Sequence, residues 1–477
     1  MSAGGKVISL EPSVTMIDGV KSGRIGELKG HKNMSVIKEA GAICSLLENL
    51  SPRRVSICNR SMVEADEFLY LLKELSDCYI LFVVNNDRNN AHDVMISISA
   101  VGSVEEWMPL TGDIKAKGAI SKEGKTSFKA GFGPAGSGLY IINKGEKPES
   151  GNLQFEFKQT YGARMAYTTL EPLCRFTRTS PNVLLMDVCS FKVEDGDWSE
   201  NMYVWQAQSA VREMLEMRQI YYNGLPQRYR WVNKPHPGDG TLVKFKFAFY
   251  VECIPENDVY LVVEAQKNFR ISLNNKEVAN IASGWFIDKC FHKVELKGLV
   301  YGLNEIILSC GYRNDMEVED CYIIGDFGVN HDRKITSEPD ALHIGDWCMQ
   351  GYYHYSGSII YHYDFEYIGN PDRKVVLELG KYNAVTVEVR VNDDTAGHIP
   401  WRSANGLDIS RFVRCGANKI DIEVMGSPRN VFGPFHQNGT HNPWVDWEFF
   451  KRSDSRNTPG YVVSPYGLME QACIFIE

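Results

Sequence analysis

Two stretches in the second half of the chain carry the same five marks in the same order. The first runs Phe269-Arg270-Ile271-Ser272-Leu273-Asn274-Asn275, then Trp285, then Val294-Glu295-Leu296, then Gly302-Leu303-Asn304-Glu305-Ile306. The second runs Val389-Arg390-Val391-Asn392-Asp393, then Trp401, then Leu407-Asp408-Ile409, then Gly416-Ala417-Asn418-Lys419-Ile420. Each copy offers a strand, an Asn-led turn, a Trp, a further strand and a Gly-x-Asn-x-Ile re-entry. A β unit duplicated at this length predicts two related β-sandwich domains in tandem.

The rest of the chain fits around that pair. With 477 residues the sequence needs roughly three domains and more than one core. The first eighty-five residues alternate helix and strand signals. Val7–Leu10 and Arg54–Cys58 read as short strands, and Met34–Leu50 and Glu64–Leu75 place apolar residues at helical three- and four-residue steps. Tyr79–Val84 is an almost wholly apolar run and reads as a strand buried on both faces. From residue 86 the period changes to two, through Met95–Ser99, Ser127–Phe132 and Leu139–Ile142. One helix is expected inside the β-rich remainder, over Tyr203–Arg218, before strands such as Lys244–Phe249 and Val385–Val389. The predicted class is mainly β, with tandem β-sandwich or jelly-roll domains preceded by a small α/β segment. The expected divisions are 1–85, a partial α/β segment; 86–165, a small β-sandwich; 166–335, a sandwich with an inserted helix; and 336–477, a second jelly roll.

Composition removes several function classes. Apolar residues form 44% and charged residues 23% of the chain, the balance of a folded protein rather than a disordered one. The net charge is −9 and no basic run could track phosphates, so nucleic acid is not an expected partner. No apolar run is long enough to cross a bilayer and no secretory h-region follows Met1, so a cytoplasmic location and no membrane partner are expected. The twelve cysteines include no Cys-x-x-Cys pair and read mostly as small buried apolar residues. The histidine pairs His354/His362 and His436/His441 lack a carboxylate or thiol at ligand spacing and read as polar surface or loop residues. Gly131-Phe132-Gly133-Pro134-Ala135-Gly136 mimics a dinucleotide fingerprint, but strands flank it and Pro134 lacks an N–H, so no cofactor is expected.

The repeats resemble the galactose-binding-like jelly rolls of large glycoside hydrolases, of the kind found with β-galactosidase and β-glucuronidase, and Asn392 through Ile420 carries the pattern closely. More of the chain resembles the α-L-rhamnosidases of glycoside hydrolase family one hundred and six. The landmarks are Gly4-Gly5-Lys6-Val7-Ile8, Tyr79 through Asn86, Glu106 through Gly112, Asn182-Val183-Leu184-Leu185-Met186-Asp187, Gly325-Asp326-Phe327-Gly328 and Pro465-Tyr466-Gly467-Leu468. That resemblance implies the half that follows the catalytic barrel. A barrel of eight strands and eight helices occupies about 250 residues, and the α/β signals here stop at residue 85. The reacting carboxylates of such enzymes therefore have no counterpart in this sequence, and no catalytic residue is assigned.

The resemblance makes carbohydrate the expected partner, with this chain binding it or scaffolding a separate catalytic subunit. The alternative is a complete glycoside hydrolase with its site between the sandwiches. Trp444, Asp446 and Trp447, with His436 and His441 close in sequence, form an aromatic and acidic segment that could hold a sugar: ring faces stack on apolar C–H groups and carboxylates bind hydroxyls. The competing reading has Trp444 and Trp447 packing one sandwich on its neighbour. Trp285 and Trp401, at equivalent places in the repeats, are further sugar-binding candidates, fold closure being the other role open to them. Glu194–Asp197 and Asp315–Asp320 read as solvated turns, and Tyr361, Tyr363, Phe365 and Tyr367 alternate onto a core face. A structural calcium ion, frequent in such sandwiches, is expected on loop carboxylates and carbonyls that the sequence does not identify. An unpaired strand edge in the amino-terminal segment is expected to seek another chain, making a homo-oligomer.

Overall fold

The computed structural model describes residues 4–11, 15–109, 112–147, 165–221, 224–369, 373–399, 406–437 and 457–476. Two units are present, 1–159 and 160–477. Mainly β architecture holds throughout, with sheets stacked as sandwiches.

In the amino-terminal unit a five-stranded sheet runs in the order Asp113–Lys117, Gly102–Met108, Ser137–Lys144, Cys78–Asn85, Phe68–Glu74. A four-stranded sheet runs Ala119–Lys122, Lys125–Phe132, His92–Ile98, Val55–Cys58. Both are antiparallel, and alternate residues such as Leu81, Val83, Ile96, Phe128, Tyr140 and Ile142 form the shared core. Three expectations change here. Glu64–Leu75 is no helix: Phe68–Glu74 is a strand paired along its length with Cys78–Asn85. Phe68 and Leu72, four apart, share a face in either element, and sheet pairing decides between them. Met34–Leu50 divides into a strand, Met34–Ile37, parallel to Val7–Leu10, and a helix, Ala42–Leu50, that buries none of its residues. Tyr79–Val84 is buried on one face only. Tyr79, Leu81 and Val83 enter the core, whereas Phe82 stays 39% exposed because among the described residues no second layer covers that side of the sheet.

The second unit holds two sandwiches, one threaded through the other. Met165–Thr169 pairs with Cys473–Ile476, and Leu173–Arg178 pairs with Ser358–Tyr367. These open the carboxy-terminal sandwich, whose six-stranded sheet continues through Gly416–Met425, Val387–Val391 and Asp394–Ile399. Before that sandwich closes, the chain builds another. Its five-stranded sheet runs Asn182–Met186, Cys321–Gly325, Val259–Glu264, Asp288–Leu296, Ala282–Phe286, facing a sheet centred on Thr241–Val251 and Gly302–Tyr312. The expected helix is present as Val204–Met214, with Val204, Ala207 and Val211 buried. Alternation places Val243, Phe245, Phe247 and Phe249 in one core and Tyr361, Tyr363, Phe365 and Tyr367 in the other, and a single apolar cluster runs through both sandwiches.

The repeat survives at the level of individual hydrogen bonds. Asn304, fully buried, accepts at Oδ1 from Asn274 Nδ2 (2.9 Å) and Val300 N (2.9 Å), and donates from Nδ2 to Val300 O (2.7 Å) and Gly302 O (3.1 Å). Asn418 does the same with Asn392 Nδ2 (2.8 Å), Arg414 N (2.9 Å), Arg414 O (2.7 Å) and Gly416 O (2.8 Å). Asn274, Asn275, Asn392 and Asp393 all have positive φ, the conformation a tight hairpin turn needs. Two of the marks, the Asn-led turn and the Gly-x-Asn re-entry, are thus one turn-and-lock device used twice.

The cysteines differ from expectation. All twelve are free thiols, but only Cys174, Cys189, Cys310, Cys321 and Cys348 are buried, and Cys44, Cys253 and Cys415 are exposed. His354 also departs from its surface reading, being completely buried.

Candidate functional site

Polar chemistry gathers at the two ends of the strand Asn182–Met186. An outward-facing apolar layer lies between them: Val183, Leu185, Val262, Tyr322 and Ile324 from the five-stranded sheet, covered by Val431 and Phe435 from the carboxy-terminal sandwich. Five strand rises put the two ends about 17 Å apart.

At the carboxyl end of the strand stands Asp187, only 4% exposed. Its carboxylate accepts from Tyr461 Oη (2.6 Å), Arg333 Nη2 (3.1 Å) and His436 Nε2 (3.0 Å). Burial alone would raise its pKa, but the His436 and Tyr461 hydrogen bonds and the Arg333 charge outweigh it and hold the carboxyl below the ordinary range. The Tyr461 hydroxyl is pushed up by burial and by the adjacent Asp187 charge. Rings enclose the group: Tyr203 lies 4.5 Å from His436 between centroids, Tyr461 lies 4.6 Å from it, and the Arg333 guanidinium sits 4.1 Å above Tyr461. Behind them, burial lowers the pKa of His354 to about 3, with the Arg333 charge adding to the effect. The other His436 nitrogen, Nδ1, faces Thr458 O and Gly460 O, each at 3.2 Å. Those contacts tie together the two arms that lead into segment 438–456, and Gln437 and Asn457 form a bridge just beyond.

At the amino end lies a cleft of about 540 Å³ lined by Pro181, Asn257, Asp258, Tyr260, Lys293 and Asp326, with Glu256 and Gly325 beside them. It opens where the chain passes between sandwiches. Arg178, the last residue of its strand, grips Glu338 and Asp326, and Asn257 Nδ2 donates to Asp326 Oδ2 at 2.9 Å. The Arg178 hydrogen bond, assisted by Asn257, keeps the Asp326 carboxyl below its ordinary range. The Lys293 ammonium sits 5.0 Å from the Tyr260 ring centroid. Fixed carboxylates, an amide, an ammonium and a phenol are thus held on a rigid rim, a set suited to ligand hydroxyls.

Of the sequence candidates, His436 is brought into the Asp187 group. Trp285 stands on the edge strand Ala282–Phe286, 52% exposed and in register with His292. Trp401, His441, Trp444, Asp446 and Trp447 lie outside the described residues. Residues not singled out as site candidates were Asp187, Asn257, Asp258, Tyr260, Lys293, Asp326, Arg333 and Tyr461. Asp187 and Asp326 had a local signal, an acidic residue following a largely apolar strand; the others had none. Among the described residues no three His, Cys, Asp or Glu side chains converge as metal ligands.

No protein-family model and no curated protein matches the chain. Among solved structures it is similar to a rhamnosidase from Novosphingobium sp. PP1Y, at 13% identity and TM-score 0.41, over 93% of this chain and 26% of that one. It is also similar to a β-D-mannosidase from Dictyoglomus thermophilum, at 13% identity and TM-score 0.21, over 52% of this chain and 31% of that one. A Paenibacillus xanthan lyase matches at 12% identity and TM-score 0.14, over 92% of this chain and 40% of that one. The chain spans about a quarter of the rhamnosidase's length.

Proposed function

We propose that this chain is a carbohydrate-binding accessory part of a glycoside hydrolase of the α-L-rhamnosidase kind, acting beside a catalytic domain that it does not itself supply. The carrying observation is the lining of the cleft at the entry to the inserted sandwich, where Asn257, Asp258, Asp326, Lys293 and Tyr260 converge. A sugar offers hydroxyls that both donate and accept. Carboxylates and an amide take the donors, while an ammonium and a phenol serve the acceptors.

Chemistry favours binding over hydrolysis at this position. A glycosidase acid must hold its proton near neutral pH, which requires a raised pKa. Asp326, through the Arg178 hydrogen bond, and Asp187, through the His436 hydrogen bond and the Arg333 charge, are both shifted the other way. The competing reading, a complete glycoside hydrolase, has one observation behind it. Burial, together with the neighbouring Glu317 and Asp288 charges, raises the pKa of Glu264, the condition for a general acid.

One experiment separates the two. Calorimetric titration of the purified chain with rhamnose-containing oligosaccharides is expected to show saturable binding that Asn257→Ala weakens, with no nitrophenol released from an aryl α-L-rhamnoside. Turnover abolished by Glu264→Gln in a folded variant would make the chain an enzyme. Absence of both binding and turnover would sink the carbohydrate reading.

A further inference from the structure

Among the described residues the strand Phe68–Glu74 is the last of its sheet, paired on one side only, with Cys78–Asn85. Its ladder phase is fixed at both ends: Asn86 N–H donates to Glu67 O at 2.8 Å and Leu75 N–H to Cys78 O at 2.9 Å. Hydrogen-bonded pairs alternate along an antiparallel ladder. Leu69, Leu71 and Lys73 therefore turn their backbone groups toward Cys78–Asn85, and Tyr70 and Leu72 turn theirs to the open edge.

Such edges are normally blunted by proline, bulges or inward charges. Phe68-Leu69-Tyr70-Leu71-Leu72 has none of these, and Leu69, Tyr70 and Leu71 are 60%, 46% and 56% exposed. The face beside it is also apolar. Leu71, Phe82, Leu139, Trp107 and Ile114 stand in one register row across all five strands on the side away from the core. All but Leu139 count among the exposed large apolar side chains.

We propose that this edge is a self-association surface, on which a second copy of the chain lays its own Phe68–Glu74 strand antiparallel about a twofold axis at Tyr70. The open backbone groups choose that axis, because Tyr70 then meets its own counterpart as a hydrogen-bonded pair and Leu72 meets Phe68 of the partner subunit. Charge chooses a second copy as the occupant. In this register exposed Lys73 faces exposed Glu67 of the partner subunit on the same side of the sheet, and the pair occurs twice by symmetry. Leu69 faces Leu71 of the partner subunit, so the apolar row runs on across the junction. The one like-charged meeting, Glu74 with Asp66 of the partner subunit, is relieved because Glu74 is already bound by Arg54 and Lys144. The two five-stranded sheets become one, and the bare edge is gone.

Sedimentation velocity of the full chain from low to high micromolar concentration tests this. A concentration-dependent dimer is expected, and Lys73→Glu, which sets Glu against Glu twice, is expected to raise its Kd about tenfold or more. Adding Glu67→Lys to that variant reverses the pair and restores the dimer, which no merely structural role of either residue would do. Tyr70→Pro removes an edge N–H that the single sheet does not use and abolishes association; if that variant fails to fold, the charge reversal carries the test. A monomer at high micromolar concentration, a dimer indifferent to Lys73→Glu, or a double reversal that does not restore it would overturn the proposal.

Discussion

Replacing Asp187 with Asn keeps the shape of the side chain and removes its charge, so it isolates the electrostatic part of the group at the end of Asn182–Met186. Three donors converge on that carboxylate, two of them from cationic or ionisable side chains: Tyr461 at 2.6 Å, His436 at 3.0 Å and Arg333 at 3.1 Å. In the variant one acceptor oxygen becomes an NH₂ that faces a donor, and Arg333 loses its counter-charge. Breaking one side of a buried ion pair costs about 3–5 kcal/mol. That is a large share of a typical folding free energy of about 5–15 kcal/mol. Urea unfolding followed by tryptophan fluorescence is expected to show the midpoint falling accordingly, with Tyr461→Phe costing less, about 1.5–3 kcal/mol for one hydrogen bond to a charged group. The pH dependence has a definite sign. The folded carboxyl lies below its ordinary 3.8, so the unfolded chain takes up the proton first as pH falls. The stabilisation carried by this carboxyl is complete above that value and disappears as pH falls through the lower folded pKa. An Asp187→Asn chain within about 0.5 kcal/mol of wild type at neutral pH would refute the reasoning.

Other perturbations follow from the same geometry. Asn304→Ala strands Val300 N–H, Val300 O and Asn274 Nδ2 and is expected to cost about 2–4 kcal/mol, with Asn418→Ala costing a similar amount in the other copy; calorimetry on the two variants compares them directly. Gly102→Ala drives a methyl into Asn143 O and is expected to destabilise the amino-terminal sandwich by about 1–3 kcal/mol in a denaturant titration. His354 is buried neutral with a pKa of about 3 against an ordinary 6.5, so between those values the unfolded chain binds the extra proton. Wild type should lose about 1.4 kcal/mol per pH unit below 6.5 from this group, and His354→Phe should remove that slope from the stability profile.

The strands were legible where one face is apolar, as in Val243 through Val251 and Tyr361 through Tyr367, because period two has a single reading there. It failed at Phe68–Glu74, where Phe68 and Leu72 satisfy a helical step and a strand face equally and only the pairing with Cys78–Asn85 decides. The duplicated turn was legible for a different reason. A left-handed hairpin pair and a buried amide lock both demand Asn, so the device writes itself into the sequence twice. The Asp187 group left no such mark, since His436 lies 249 residues away along the chain and no local period reports a contact at that separation. Nor does alternation tell a strand which sheet to join, and for that reason the pairing of Leu173–Arg178 with Ser358–Tyr367 could not be read from either segment.

That pairing explains why the polar cleft lies where it does. A sandwich inserted into another must leave and re-enter its host, and both crossings need their backbone groups satisfied. Here they satisfy each other. Thr179 N and Ser180 N on the outgoing crossing donate to Tyr355 Oη, which donates to Ser358 O as the chain returns. Asn182 Nδ2 bonds Phe327 O and Gly351 O at 2.7 and 2.8 Å, and Arg178 spans to Glu338 and Asp326. The residues that hold the sandwiches together therefore also fix the rim of the cleft, and Asp326 serves both. Loosening the seam should weaken ligand binding before it unfolds either sandwich. Glu338→Gln is the variant for this, because Glu338 touches Arg178 and Tyr352 but does not line the cleft. It is expected to lower affinity in the calorimetric titration while the cooperative unfolding transition is retained, and an unchanged affinity would mean that the rim is set by the inserted sandwich alone.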